Sequence, residues 1–157
     1  MRDLSGKLAD YVDEFADAIA ASGMPILGGR ALGYLLVCDP ACQTAAEVAR
    51  ALGESQRETA RMLQSLEASG MLECVALPDQ EAPCYSVRPA DQMLKGPIKR
   101  ARAMQAVGER GLDVAACDEA RGRLSEMADF YGFMARDLDE LVDRWRASRK
   151  KSRASHS

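Results

Sequence analysis

Thr44-Ala-Ala-Glu47 and Ser55-Gln-Arg-Glu58 both match the pattern of a helix capping box, and Gly53 stands between them. In such a box a hydroxyl accepts from a backbone N–H of the first turn, while the Glu carboxylate accepts from the cap residue's own N–H. One S/T-x-x-E is common by chance. Two of them, each followed by apolar residues at helical spacing, predict two short helices joined by a tight turn. The first would bury Val48, Ala49 and Leu52, with Gly53 supplying the positive φ that ends a helix with little strain. The second would bury Thr59, Met62, Leu63 and Leu66 and end at Gly70. Beyond Gly70 the apolar period shortens to that of a strand. Leu72, Cys74 and Ala76 alternate with Glu73, Val75 and Leu77, residues Pro78 to Pro83 read as a turn, and Cys84 to Arg88 returns with Tyr85 and Val87 on one face. Helix, turn, helix and hairpin in this order predict a winged helix-turn-helix, whose second helix enters the major groove of duplex DNA.

The groove-facing residues follow from the helical wheel. With Met62, Leu63 and Leu66 inward, the outer face carries Gln56, Arg57, Ala60, Arg61 and Gln64. Arg can be bidentate to guanine and Gln to adenine, so the chemistry suits base readout. Glu58 is expected to be occupied in its capping box. Thr44 and Ser55 at the helix starts and Arg88 at the end of the hairpin complete the candidate DNA contacts. The hairpin tip offers Asp79 and Glu81, which phosphate repels. A solvated helix that docks another protein accounts for the same residue types, so the fold around the helix decides the balance in favour of DNA.

The net charge of the 157 residues is -3 with a pI near 5.3, so any nucleic-acid footprint is local. Lys95, Lys99, Arg100 and Arg102 lie close together, and Arg144, Arg146, Arg149, Lys150, Lys151 and Arg153 crowd the end of the chain. Residues 148–157 read as a disordered, solubilising basic tail. No apolar run is long enough to span a bilayer, and Asp3, Asp10 and Asp13 interrupt any signal-peptide core, so the expected location is the cytoplasm. The five cysteines, Cys38, Cys42, Cys74, Cys84 and Cys117, are expected to be reduced there. Cys38 and Cys42 could pair across the Asp39-Pro40 turn, whereas a turn centred near Gln80 sets Cys84 nearer Leu77 than Cys74. No Cys-x-x-Cys occurs and the single histidine is His156, so neither a metal nor a cofactor is expected. Without a usable histidine, a nucleophile motif or a phosphate loop, an enzyme is not expected either.

Leu4, Leu8, Tyr11, Val12, Phe15 and Ile19 mark one face of an N-terminal helix closed by Ser22-Gly23. Pro25 suits the first turn of the next helix, which would bury Leu32, Leu35 and Leu36. Gly28-Gly29 follows no strand and reads as a site of close helix packing. Between Pro89 and Gly111 the helical pattern contains Gly96-Pro97, which either kinks one helix or starts it at Pro97. Last comes a strict alternation of three and four: Leu124, Met127, Tyr131, Met134, Leu138, Leu141 and Trp145, widened by Ala128, Ala135 and Val142. A helix from about Val114 to Ala147 would run roughly 50 Å, longer than the roughly 30–40 Å diameter of such a domain. A stripe of that length needs a partner. The chain's own N-terminal helix would serve, but a homodimer through these terminal helices is the favoured expectation, because it also presents two recognition helices to two half-sites.

The chain resembles the MarR superfamily of bacterial regulators, and within it the GbsR-like branch. The resemblance rests on Phe15-Ala-Asp-Ala-Ile-Ala-Ala-Ser-Gly-Met-Pro25, Gly29-Arg-Ala-Leu-Gly-Tyr-Leu-Leu-Val-Cys-Asp-Pro40, Thr44-Ala-Ala-Glu-Val-Ala-Arg-Ala-Leu-Gly53, Met127-Ala-Asp-Phe-Tyr-Gly-Phe133 and Trp145-Arg146. It implies a mainly α, dimeric winged-helix transcription factor that binds a palindromic operator and responds to a small effector. Tyr34, Phe130, Tyr131 and Phe133 are candidate aromatic contacts for that effector. The expected organisation is N-terminal support and dimerisation helices over 1–40, the winged helix-turn-helix over 41–89, C-terminal dimerisation helices over 90–147, and the tail over 148–157. The competing function is a winged-helix module that has lost tight DNA binding and docks a protein partner. The acidic wing, and the acids Glu54 and Glu58 beside the recognition helix, depart from the family pattern.

Overall fold

The computed structural model describes residues 6–155, which leaves Leu4 and His156 outside the described residues. The chain forms two compact units, Met1–Arg88 and Pro89–Ser157.

In the first unit α1 (Lys7–Ala20) buries Val12 and Ala16 against α2 (Ile26–Val37). α2 is apolar almost all round, as a helix in a core should be. Its glycines set how closely the two helices cross. A Cβ on Gly29 would lie 2.7 Å from the Cα of Ala16, and one on Gly33 would lie 3.1 Å from the Cβ of Phe15. Leu32 and Leu35 are buried as expected, but Leu36 is not: it sits in the last turn of α2 and is exposed together with Val37.

α3 (Ala45–Leu52) and α4 (Gln56–Ala68) follow, then β2 (Leu72–Val75) and β3 (Cys84–Val87). The strand β2 is shorter than the alternation to Leu77 suggests. A further strand, β1 (Gln43–Thr44), precedes α3. The sheet is antiparallel in the order β1-β3-β2, with Thr44 opposite Cys84 and Cys74 opposite Tyr85. Val12, Leu32, Val48, Leu63, Leu72 and Tyr85 meet in one core, so α1, α2, the two short helices and the hairpin share a single apolar centre.

Thr59 lies in that core with no accessible surface, and its hydroxyl oxygen has no hydrogen-bond partner among the described residues. Burying an unpartnered hydroxyl costs about 1–3 kcal/mol. Thr59→Val keeps the branched shape and removes the polar atom. It should raise stability by about 1–2 kcal/mol, read as a higher urea midpoint with an unchanged m-value.

In the second unit α5 (Ala90–Met93) leads through Leu94 into α6 (Lys95–Gly111), with Pro97 in its first turn, where its missing N–H leaves no bond unmade. α7 (Asp118–Ala154) has 37 residues, about 55 Å at about 1.5 Å per residue. It starts later than Val114. It also runs through residues 148–154, where a disordered tail is expected from composition. α6 and α7 pack antiparallel: Gly111 lies against Leu124, Gly108 against Ala128, Gln105 against Gly132, and Arg102 pairs with Asp139. Ala128 and Gly132 of α7 take the α6 side, the tip of Met127 also reaches Gly108, and Ala135 is buried. The larger residues of the stripe are left half-buried or exposed, with Leu141 and Trp145 at 45% and 46%.

Candidate nucleic-acid interface

Both helix starts of the helix-turn-helix form, but not alike. At α3 the Thr44 hydroxyl accepts from the Glu47 N–H at 3.3 Å and donates to the Glu47 carboxylate at 2.9 Å, and the Thr44 N–H donates to that carboxylate at 2.7 Å. This is a complete capping box. At α4 Ser55 accepts from the Glu58 N–H at 3.5 Å, but the reciprocal bond is not made. The expectation that capping occupies Glu58 is therefore corrected. Its carboxylate lies on the exposed side of α4, beside a shallow cleft shared with Glu54, Arg61 and Met62. Between the helices Gly53 adopts φ 69° and ψ 27°, and the Gly53 and Glu54 N–H groups both donate to the Ala49 carbonyl. That left-handed residue sets the angle of the turn.

α4 buries Thr59, Leu63 and Leu66, with Met62 half-buried. Gln56, Arg57, Arg61 and Gln64 are exposed as the wheel predicts, and Ala60 is half-buried beside them. Among the described residues neither Arg57 nor Arg61 has a carboxylate within ion-pair distance. Both guanidinium groups are available to phosphate or to base edges. Arg88 is placed differently. Its Nε donates to the Leu72 carbonyl at 2.9 Å, which ties it to the base of the hairpin. The wing tip, with Asp79 and Glu81, is exposed throughout.

One residue that holds this arrangement was not singled out by spacing. Arg30 is the one charged residue of α2. Its Nε donates to Asp13 on α1 at 3.0 Å, one terminal nitrogen donates to Glu54 in the turn at 2.5 Å, and the other reaches the Leu52 carbonyl at 3.4 Å. A lone cation in an otherwise apolar helix was the available signal. The fork geometry belongs to Arg and not to Lys. Arg30→Ala should destabilise the first unit by about 1–3 kcal/mol, allowing for partial exposure. Arg30→Lys should recover less than half of the loss, measured by urea unfolding.

The cysteines overturn the expectation of five free thiols. Cys42 and Cys84 form a disulfide, with Cα atoms 5.4 Å apart. Cys38, the partner considered for Cys42, is free, as are Cys74 and Cys117. The pairing of β1 with β3 brings Cys42, next to Gln43, to the strand that carries Cys84. A strand of two residues leaves no alternation to read, so this partner was invisible. Beside it, the buried Gln43 side chain donates to the Pro40 carbonyl at 2.8 Å and its Oε1 accepts from the Tyr34 hydroxyl at 3.4 Å. Burial pushes both the Tyr34 phenol and the Cys38 thiol up from their ordinary pKa ranges.

Of the other candidate effector contacts, Phe130 packs its ring edge-on to Tyr131, 5.5 Å between centroids, and Phe130 and Phe133 are exposed on α7. Among the described residues no helix is long and apolar enough to cross a membrane, and no three potential metal ligands cluster.

Comparison with known proteins meets this geometry. Residues 91–148 match the family described as MmpR5-like MarR family transcriptional regulator. With the winged helix of the first unit, the class that these likenesses share is that of winged-helix transcriptional regulators, and the chain is similar to those of the MarR family. Within that class it is 29% identical over 144 residues to the HTH-type transcriptional regulator MmpR5 of Mycobacterium tuberculosis (strain ATCC 25618 / H37Rv), a match that spans 88% of this chain and 86% of that protein. A crystal structure described only as that of a transcriptional regulator is similar with a TM-score of 0.78 and 27% identity, over 90% of this chain and 99% of that one.

Proposed function

We propose that two copies of this chain pair through the apolar stripe of α7 and present α4 of each copy to the half-sites of a palindromic operator. The observation that carries the operator half of this reading is the exposed row of Arg57, Arg61 and Gln64 on α4, whose cations have no partners among the described residues. The dimer half is supported by Met127, Tyr131, Met134, Leu138, Leu141 and Trp145 on a helix whose Ala128 and Gly132 already face α6. Leu124 extends the same stripe at its N-terminal end and sits against Gly111. Thr44 and Ser55 are candidate phosphate contacts at the helix starts, and Arg88 at the base of the wing. Closed two-fold pairing matches a two-fold operator, with half-sites about one helical turn apart.

A small-molecule effector belongs to the same proposal. It acts only by binding one arrangement of the dimer better than another, with Tyr34, Phe130, Tyr131 and Phe133 as candidate contacts. The GbsR-like branch is supported by the run from Met24-Pro25 through Gly29-Arg30 to Asp39-Pro40. The site of action is bacterial DNA in the cytoplasm.

Selection of bound fragments from a genomic DNA pool, followed by sedimentation of the free and bound protein, tests this reading. It expects an inverted repeat bound by two chains, with an affinity that falls steeply as salt rises. A single-chain mass at micromolar concentration removes the dimer. Failure to recover any DNA removes the operator and leaves the α4 face to a protein partner.

A further inference from the structure

We infer that Glu58 is a base-reading residue that selects a cytosine in each operator half-site, an inference that rests on α4 being the helix that enters the major groove. Glu58 stands in the first turn of α4, the end from which a recognition helix addresses base edges. Its backbone N–H donates to the Ser55 hydroxyl, but its carboxylate makes no hydrogen bond and no ion pair among the described residues. The other acids around the turn are engaged. Glu54 is held by Arg30 at 2.5 Å, and Glu47 closes the capping box of α3. Of these three, Glu58 alone offers both carboxylate oxygens on an exposed residue.

DNA phosphates repel such a group, so only a base edge can answer it. A carboxylate accepts hydrogen bonds and donates none. Guanine presents N7 and O6 in the major groove and thymine presents O4, all of them acceptors, so both bases are rejected. Adenine has a donor at N6 but an acceptor at N7 beside it. Cytosine offers its N4 amino group with no opposing lone pair on its own edge. Arg57 and Arg61 stand on either side of Glu58 along α4, exposed and without ion pairs among the described residues, and Arg61 lines the same cleft as Glu58. These cations offset the repulsion between Glu58 and the backbone, so the carboxylate can be carried into the groove. A glutamine at this position would discriminate less, because an amide both donates and accepts.

The test uses the full-length protein and the operator recovered by genomic selection, with each half-site position changed in turn to every other base pair. Affinities are measured for the natural chain, Glu58→Ala and Glu58→Gln. The side chain is exposed, so both variants should fold as the natural chain does, checked by circular dichroism. In the natural chain one position of each half-site should prefer cytosine by about fivefold or more. In Glu58→Ala that preference should fall below about twofold, with preferences at the other positions kept. Glu58→Gln should lose the rejection of guanine and thymine. Both variants should bind random duplex up to about fivefold more tightly, because a charge that repels phosphate is gone. Deoxyuridine paired with adenine puts an acceptor where cytosine has its amino group and adds no methyl, so the natural chain should reject it as it rejects thymine. An operator with no cytosine-selective position, or acceptance of deoxyuridine, overturns the inference. Recovery of no DNA at all sinks the operator reading and this inference together. An operator bound with its base preferences unchanged in Glu58→Ala sinks this inference alone.

Discussion

Arg57→Ala and Arg61→Ala should each weaken operator binding by about 1–3 kcal/mol, roughly tenfold to more than a hundredfold. The size of the effect follows from where the two side chains stand. Both are exposed on α4, and neither is neutralised by a carboxylate among the described residues, so removing one deletes an interaction with DNA and little within the fold. The two variants need not fail alike. An Arg that reads a guanine loses discrimination at one operator position, whereas an Arg on phosphate loses affinity on all sequences and lowers the salt slope by about 1. Affinities on the selected operator and on single-position mutants, across a salt series, distinguish the two. Unchanged binding in both variants would remove α4 as the reading helix. The acids nearby predict a smaller effect of opposite sign. Glu58 makes no reciprocal cap and stays on the exposed side of α4, so Glu58→Gln should tighten binding modestly.

Breaking the Cys42–Cys84 bond should lower the stability of the first unit by about 2–4 kcal/mol, the range for a cross-link closing a loop of this size. The bond spans a sequence separation of 42 and encloses α3, α4 and most of the hairpin. Its loss therefore frees the whole helix-turn-helix in the unfolded chain, whereas the folded unit keeps its core. Cys42→Ser suits the less buried end, and Cys84→Ala suits the buried strand position, where a serine hydroxyl would lack a partner. Urea unfolding of both variants, and of the natural chain with and without a dithiol reductant, should give the same loss in each case. A reduced protein as stable as the oxidised one would show that the sheet alone holds β1 to β3.

The helix-turn-helix was legible because its instructions are local. A hydroxyl three residues before a carboxylate, a glycine between two apolar runs and a change of apolar period each act within a few residues. They set α3, α4 and the hairpin within a residue or two of the observed bounds, apart from the far end of β2. The outer face of α4 was legible for the same reason, since a helical wheel converts spacing into direction. The long final helix was also readable from its stripe. Its extension to Ala154 was not, because a basic composition suits a solvated helix as well as a tail.

What stayed hidden depends on partners far apart in the chain. Cys42 could have met Cys38, and only the packing of β1 onto β3 put it beside Cys84. Glu58 had the right spacing for a reciprocal cap, yet its carboxylate takes the open side of α4. Arg30 looked like an ordinary charge until α1 and the turn after α3 brought Asp13 and Glu54 to it. Hydrogen bonds and apolar contacts within one turn are written in neighbouring residues. Which distant groups become neighbours is fixed only when the elements share a core.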